Sequence, residues 1–159
     1  MSDASDDSRT KLKELTQRAV RLLARREHTR AELLRKLAPH GTEEEITTVI
    51  GQLTQQGLQS DARFAAAYVR SNAARHGQAR LRQTLRTKGV EAELINEQLV
   101  DADMGDEASR AAALWRRKFG TPAADAKEWA RQARFLQARG FSSDIIRRLL
   151  RDPTREEDA

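Results

Sequence analysis

Residues 85–95 read LRTKGVEAELI. A leucine stands four residues before a glycine, an acid four residues after it, and an aliphatic side chain five residues after it. The same spacing recurs as LAPHGTEEEI at 37–46 and as LQARGFSSDI at 136–145, so Gly41, Gly89 and Gly140 follow one another at intervals of 48 and 51 residues. Four positions past these glycines stand Glu45, Glu93 and Asp144, and five past them Ile46, Leu94 and Ile145. Each phrase reads as a helix end, a turn and a helix start. Glycine adopts the left-handed conformation at a helix C-terminus without steric cost, the acid faces the positive end of the next helix, and the aliphatic begins that helix's buried stripe. A phrase repeated at this interval predicts a tandem three-helix repeat.

Outward from these joints, start and stop signals delimit nine helices. Leu12, Leu15, Ala19, Leu22 and Leu23 lie at helical spacing and predict a first helix over about 9–27. Thr29 with Glu32 and Thr42 with Glu45 read as capping boxes that open the second and third. Ser60 and Asp61 open a helix over 61–75, Gly77 precedes one over 78–88, and Val90 with Glu91 begins one to about 103. Gly105 and Asp106 restart the chain to about Phe119, Asp125 with Glu128 open a helix to Arg139, and Ser142 caps the last, with Phe141 stapling onto Ile146. Gly41, Gly57, Gly89 and Gly140 are the predicted left-handed stops. Nothing alternates with period two. The expected fold is all-α, with three-helix repeats over 9–58, 59–104 and 105–151 in an elongated body with room for curvature, between disordered acidic tails at 1–8 and 152–159.

Composition limits the chemistry. The 159 residues contain no cysteine, which excludes disulfides, thiolate zinc sites and a cysteine nucleophile. No apolar run approaches the roughly 18 residues that span a bilayer, and MSDASDDS lacks the basic and apolar parts of a signal peptide, so a soluble cytoplasmic protein is expected. Between Arg9 and Arg151 stand 28 basic and 17 acidic residues, a net +11, and 23 of the 29 basic residues in the chain are arginine. Arginine makes forked contacts with phosphate and carboxylate, so charge alone points equally to nucleic acid or to an acidic protein surface. A coding bias toward G and C would enrich arginine too.

Catalytic signals are missing. His28, His40 and His76 each fall at a predicted helix end, where a surface or capping role is expected, and none is paired at helical spacing. There is no HExxH, P-loop, GxGxxG or GxSxG. Asp101, Asp103, Asp106 and Glu107 straddle a repeat boundary, where caps and solvated acids belong, rather than forming a magnesium site. Phe64, Tyr68, Trp115, Phe119, Trp129, Phe135 and Phe141 are expected in the core rather than as base-stacking platforms. Neither an enzyme, a metal nor a cofactor is expected. What remains is the basic surface: Arg21, Arg25 and Arg26; Arg70; Arg80, Arg82 and Arg86 with Lys88; Arg116, Arg117 and Lys118; Arg131, Arg134 and Arg139; Arg147, Arg148 and Arg151. On the helix over 78–88, Arg82 and Arg86 share a face opposite Leu81 and Leu85.

One combination of residues resembles a known family. Leu22, Leu23, Arg26, Glu32, Leu33, Lys36 and Leu37 lead to Gly57 and Leu58; then come Asp61, Arg63, Phe64, Ala65, Tyr68, Val69 and Arg70. Arg80, Arg82, Leu85, Lys88 and Gly89 follow, with Arg139, Gly140, Phe141 and Ile145 near the end. In this order and spacing, over about residues 15–151, the chain resembles the RecX proteins that modulate the RecA recombinase. Thr29 stands where the family often has serine, and Gln78 where a proline is common after the glycine. The resemblance implies three three-helix repeats and a regulator that lies in the groove of RecA filaments on single-stranded DNA and restrains ATP hydrolysis and strand exchange. The implied partners are the RecA nucleoprotein filament and single-stranded DNA, contacted directly or through RecA, with the protein acting as a monomer. The basic residues from Arg25 to Arg148 named above are the candidates for these contacts. A free-standing helical nucleic-acid-binding module, or a helical scaffold for another acidic protein, is the alternative that the residues alone leave open.

Overall fold

At the start of the third helix, the Thr42 hydroxyl accepts the Glu45 N–H at 3.2 Å while the Glu45 carboxylate accepts the Thr42 N–H at 3.0 Å, the reciprocal box expected from sequence. Such local signals set most boundaries. In the computed structural model, residues 2–102 and 104–151 are described, and among them are nine α-helices and no strand. They are α1 (Ser2–Arg25), α2 (Arg30–Leu37), α3 (Glu43–Gln55), α4 (Asp61–Asn72), α5 (Gln78–Thr87), α6 (Ala92–Asp101), α7 (Glu107–Lys118), α8 (Ala126–Ala138) and α9 (Ser143–Arg151). A 3-10 turn, Ala38–His40, follows α2.

Two expectations about the ends need separate treatment. Of the acidic segment 1–8, expected to be disordered, residues 2–8 are the start of α1, which is helical from Ser2. Its aspartates Asp3, Asp6 and Asp7 lie in the first two turns, where negative charge is favoured by the helix macrodipole. The 152–159 tail lies outside the described residues, as does Asp103.

The chain forms two compact units: residues up to Ala65 together with Arg86–Leu94, and Ala66–Leu85 together with residues from Ile95 on. The first is built on Leu15, Ala19, Leu33, Leu37, Ile46, Val49, Ile50 and Leu53. The second has Ala111, Leu114, Trp115, Leu136, Phe141, Ile146 and Leu149 as its main cluster, with the staple partners Phe141 and Ile146 both inside it. A buried polar pair adds specificity there: the Trp115 indole N–H donates to Gln132 Oε1 at 2.9 Å, and Gln132 Nε2 donates to the Thr121 carbonyl at 3.1 Å.

Within each unit the amino terminus of a middle helix receives groups from the next repeat. In the first unit, Asp61 accepts the N–H of Arg30, the first residue of α2, at 2.8 Å, and the Thr29 hydroxyl donates to the carbonyl of Lys88 at 2.7 Å. In the second, Glu107 accepts the N–H of Gln78, the first residue of α5, at 3.1 Å, and the Gly77 N–H donates to the carbonyl of Arg139 at 2.7 Å. Lys88 and Arg139 immediately precede Gly89 and Gly140. Those glycines have φ of +88° and +91°, and a Cβ on either would lie 2.4 Å from the Cβ of Ala31 or of Arg80 respectively. Both the backbone conformation and the close approach require glycine.

Gly41 does not share this geometry. It is extended, with φ −170°, contrary to the left-handed stop expected for it, because Pro39 diverts the end of α2 into the 3-10 turn. Its missing side chain instead makes room for Leu15, whose Cδ1 would lie 2.9 Å from a Cβ. The register changes accordingly. After Gly89 and Gly140 the next helix starts three residues on and the buried aliphatics are Ile95 and Ile146, one later than the half-buried Leu94 and Ile145; after Gly41 the helix starts two residues on and Ile46 is buried. Thr29 also departs from its expected box: its hydroxyl accepts the Glu32 N–H at 3.0 Å, but the Glu32 side chain turns to Arg26 at 2.9 Å instead of returning to the cap.

Gly57 offers the control for the joint glycines, since it has φ +78° but nothing within 4 Å of where a Cβ would sit. Both Gly57→Ala and Gly89→Ala incur about 1–2 kcal/mol for the left-handed backbone. Gly89→Ala must also displace Ala31, and urea denaturation is expected to show a further loss of about 1–3 kcal/mol. Adding Ala31→Gly to Gly89→Ala should return part of that difference but have no such effect on Gly57→Ala.

Candidate functional site

Arginine serves two purposes in this fold. Several guanidiniums cap carbonyls left without partners at helix ends: Arg80 donates to the Ala138 carbonyl at 2.9 Å and Arg117 to the Ala74 carbonyl at 3.1 Å. Arg110, only 9% exposed and not among the expected surface cations, donates to the carbonyls of Ala73 at 3.0 Å and His76 at 3.3 Å. Arg82 is half-buried and bonded to Asn96 Oδ1. Arg26 and Lys88 converge on the buried carboxylate of Glu32, at 2.9 and 4.0 Å. These residues hold the fold, and their charges are partly committed.

The third repeat gathers others around an aromatic pair. The Phe119 and Phe135 rings meet edge to face at 5.4 Å, with Arg131 5.2 Å over Phe119, and with Arg139 at 5.0 Å and Lys118 at 5.5 Å over Phe135. Arg131 also pairs with Glu128 at 2.8 Å, and Arg147 with Asp144 at 2.6 Å, both exposed pairs of the kind that contribute little to stability. Arg25, Arg70, Arg86, Arg134 and Arg148 are exposed with no hydrogen bond or ion pair among the described residues, and Arg116 is exposed as well. Arg86 and Arg70 belong to different compact units. Of the aromatics expected in the core, Phe64, Trp115 and Phe141 are buried and Tyr68, Phe119 and Phe135 half-buried, whereas Trp129 is 39% exposed. Among the described residues no three His or acidic side chains stand as a metal site, and Glu107 is instead the cap on α5.

Arg25 belongs to a cluster that tertiary packing completes. With Arg18 and Arg21 it lines one wall of a groove in the first unit, and Lys36 and His40 line the other, over a floor of Leu22 and Leu37. The 18, 21, 25 spacing is visible in the sequence, but Lys36 and His40 join it only through the packing of α2 on α1. Behind Lys36 lies His28, 2% exposed, in place of the surface or capping role expected for it. Lys36 Nζ lies 3.0 Å from His28 Nε2, and His28 Nδ1 lies 3.0 Å from the Arg26 carbonyl. An ammonium can only donate and a carbonyl only accept, so His28 is the neutral imidazole with its proton on Nδ1. Burial, reinforced by the Arg26 and Lys36 charges and opposed by the Arg26 carbonyl and Glu32, holds its pKa below the ordinary histidine value. His76 is lowered as well, by burial and then by Arg80, Arg139 and Arg75.

These features define a class, the tandem three-helix repeat protein whose exposed chemistry is cationic. Residues 16–53, 60–99 and 106–150 match the RecX first, second and third three-helix domains. The regulatory protein RecX of Leptothrix cholodnii is 51% identical over 142 residues, 89% of this chain and 90% of that protein. That of Neisseria meningitidis serogroup B is 43% identical over 150 residues, 92% and 97% of the two chains. Among solved structures, a crystal structure of regulatory protein RecX matches with a TM-score of 0.79 at 24% identity, covering 94% of this chain and 77% of that one. RecX from Lactobacillus salivarius matches at 0.75 and 20% identity, covering 91% and 97%; these two likenesses concern the fold. The chain belongs to the RecX family of regulatory proteins. Among the described residues no helix is long and apolar enough to cross a membrane.

His28, buried, and His76, half-buried, make stability depend on pH. Because their folded pKa values lie below the unfolded one, the unfolded chain takes up protons first as pH falls below about 6.5, and stability is lost through that window. Chemical denaturation between pH 7.5 and 5.5 should show this decline. His28→Asn, which keeps a donor for the Arg26 carbonyl, is expected to lower stability at neutral pH and to remove up to about 1.4 kcal/mol per pH unit from the slope.

Proposed function

We propose that the protein binds RecA filaments assembled on single-stranded DNA and restrains RecA's ATP hydrolysis and strand exchange, thereby regulating recombination and DNA repair in the cytoplasm. Family membership along nearly the whole folded chain is the observation that carries this reading. The surface chemistry suits it. Exposed arginines without partners among the described residues, Arg70, Arg86, Arg134 and Arg148 among them, can meet acidic side chains of a protein filament or the phosphates of its DNA. A filament repeats its subunits, so contacts from more than one repeat of this protein would add through effective concentration. Restraint follows if the bound protein favours one subunit geometry over the other.

Titrating the protein into DNA-dependent ATP hydrolysis by RecA tests the proposal: stoichiometric amounts should slow the reaction and strand exchange with it, and an unchanged rate overturns the reading. Equal affinity for bare and RecA-coated single-stranded DNA would favour a free-standing nucleic-acid-binding module instead.

The arginines separate by a second measurement. Arg86→Glu should weaken filament binding while leaving the melting temperature unchanged. It should also reduce the dependence of log affinity on log salt by about one for each phosphate that the side chain no longer neutralises. Arg110→Ala should lower the melting temperature, because it strips the caps from the Ala73 and His76 carbonyls.

A further inference from the structure

The groove of the first unit has a feature that fold stability does not explain. Arg18, Arg21 and Arg25 are exposed, fall on one face of α1 at spacings of three and four, and have no hydrogen bond or ion pair among the described residues. Like charges at these spacings repel and destabilise the helix slightly. Lys36 faces them across the groove, held by a neutral histidine rather than by an acid, and among the described residues no carboxylate lines the space. Four uncompensated cations in one concavity reinforce one another's potential over the low-dielectric floor and draw in a ligand of several negative charges. The floor is apolar, with half-buried Leu22 over the core residue Leu37, and Leu22 is the surface that the flat, uncharged part of such a ligand can meet. The volume, about 400 Å³, lies in the range of small-molecule sites.

We propose that this groove binds a free nucleoside polyphosphate, with its phosphates on Arg18, Arg21, Arg25 and Lys36 and its base against Leu22. Forked guanidiniums suit phosphate oxygens, and Lys36 supplies a point charge between them. A bare inorganic polyanion would leave Leu22 unused. The site goes beyond the RecA reading, since neither RecA nor DNA is needed to fill it.

Calorimetric titration of the full-length protein with ATP, in the absence of RecA and DNA, tests this. ATP should bind saturably at one site, and tripolyphosphate more weakly by several fold because it lacks the base. Arg21→Ala with Arg25→Ala should reduce the ATP affinity at least about tenfold, the effect of losing about 1.4 kcal/mol of binding. The charge-matched pair Lys11→Ala with Lys127→Ala should leave the affinity unchanged. The His40 ring resonances should shift with ATP in the wild type and stay in place in the double arginine variant. Circular dichroism monitors folding, and because both arginines are exposed the variant remains folded. No saturable binding at millimolar ATP overturns the proposal, as does an equal loss in the lysine pair, which would mark general charge attraction. Equal affinity for ATP and tripolyphosphate also overturns it, and so does an oligothymidylate that depends on Arg21 and Arg25 when ATP binding does not.

Discussion

The first N–H groups of an α-helix have no partners within the helix, and the way this protein supplies partners for α2 and α5 shapes the fold around them. Each of these middle helices receives, from the repeat that follows, an acid that accepts its first N–H, and a carbonyl just before a glycine that accepts from the residue preceding the helix, the Thr29 hydroxyl or the Gly77 N–H. Asp61 and Lys88 do this for α2, and Glu107 and Arg139 for α5. Bringing the joint backbone within hydrogen-bond reach of a helix start leaves no space for a side chain at the next position. Gly89 and Gly140 are therefore consequences of the hydrogen bonds as much as of the turn. By contrast α8 is capped by its own Asp125, which accepts the Glu128 N–H at 2.8 Å.

The other end of the helices explains part of the arginine content. Carbonyls at the end of a helix need donors, and Arg80, Arg110 and Arg117 reach them from elsewhere in their unit. Arginine suits this role because it stays charged when half-buried and presents several donors in a plane. A high arginine count thus overstates the surface available for a partner. The cations left over fall into distinct settings: a groove with an apolar floor in the first repeat, an aromatic pair ringed by charge in the third, and single exposed residues such as Arg70 and Arg148.

Much of the helix map was legible because its signals are local. Thr42 with Glu45, Asp125 with its Glu128 amide, and the glycine at 140 act over three or four residues, which is the range a linear reading sees. The acids of 1–8 were misread because an unfavourable composition for a core says little about a helix that merely extends one already formed. The three glycines look alike in the sequence, yet Gly41 differs, since Pro39 ends α2 in another way and shifts the register of Ile46 by one residue. The candidate site was less legible. The basic residues were all visible, but Arg82 and Arg117 are bonded to partners 14 and 43 residues away, and Lys36 meets Arg18 only across two packed helices.

By itself, then, the sequence determined an all-helical chain in three similar units, a cationic character, and the places where helices start and stop. These follow from side-chain periodicity, capping chemistry and glycine's conformational freedom, none of which needs a distant partner. Only the tertiary structure decided which charges are spent on holding helix ends, why Glu32 leaves its expected cap for Arg26 and Lys88, and why His28 is buried and neutral beside Lys36. Those outcomes depend on which groups meet across packed helices, where desolvation and competition for partners act on residues far apart in the chain.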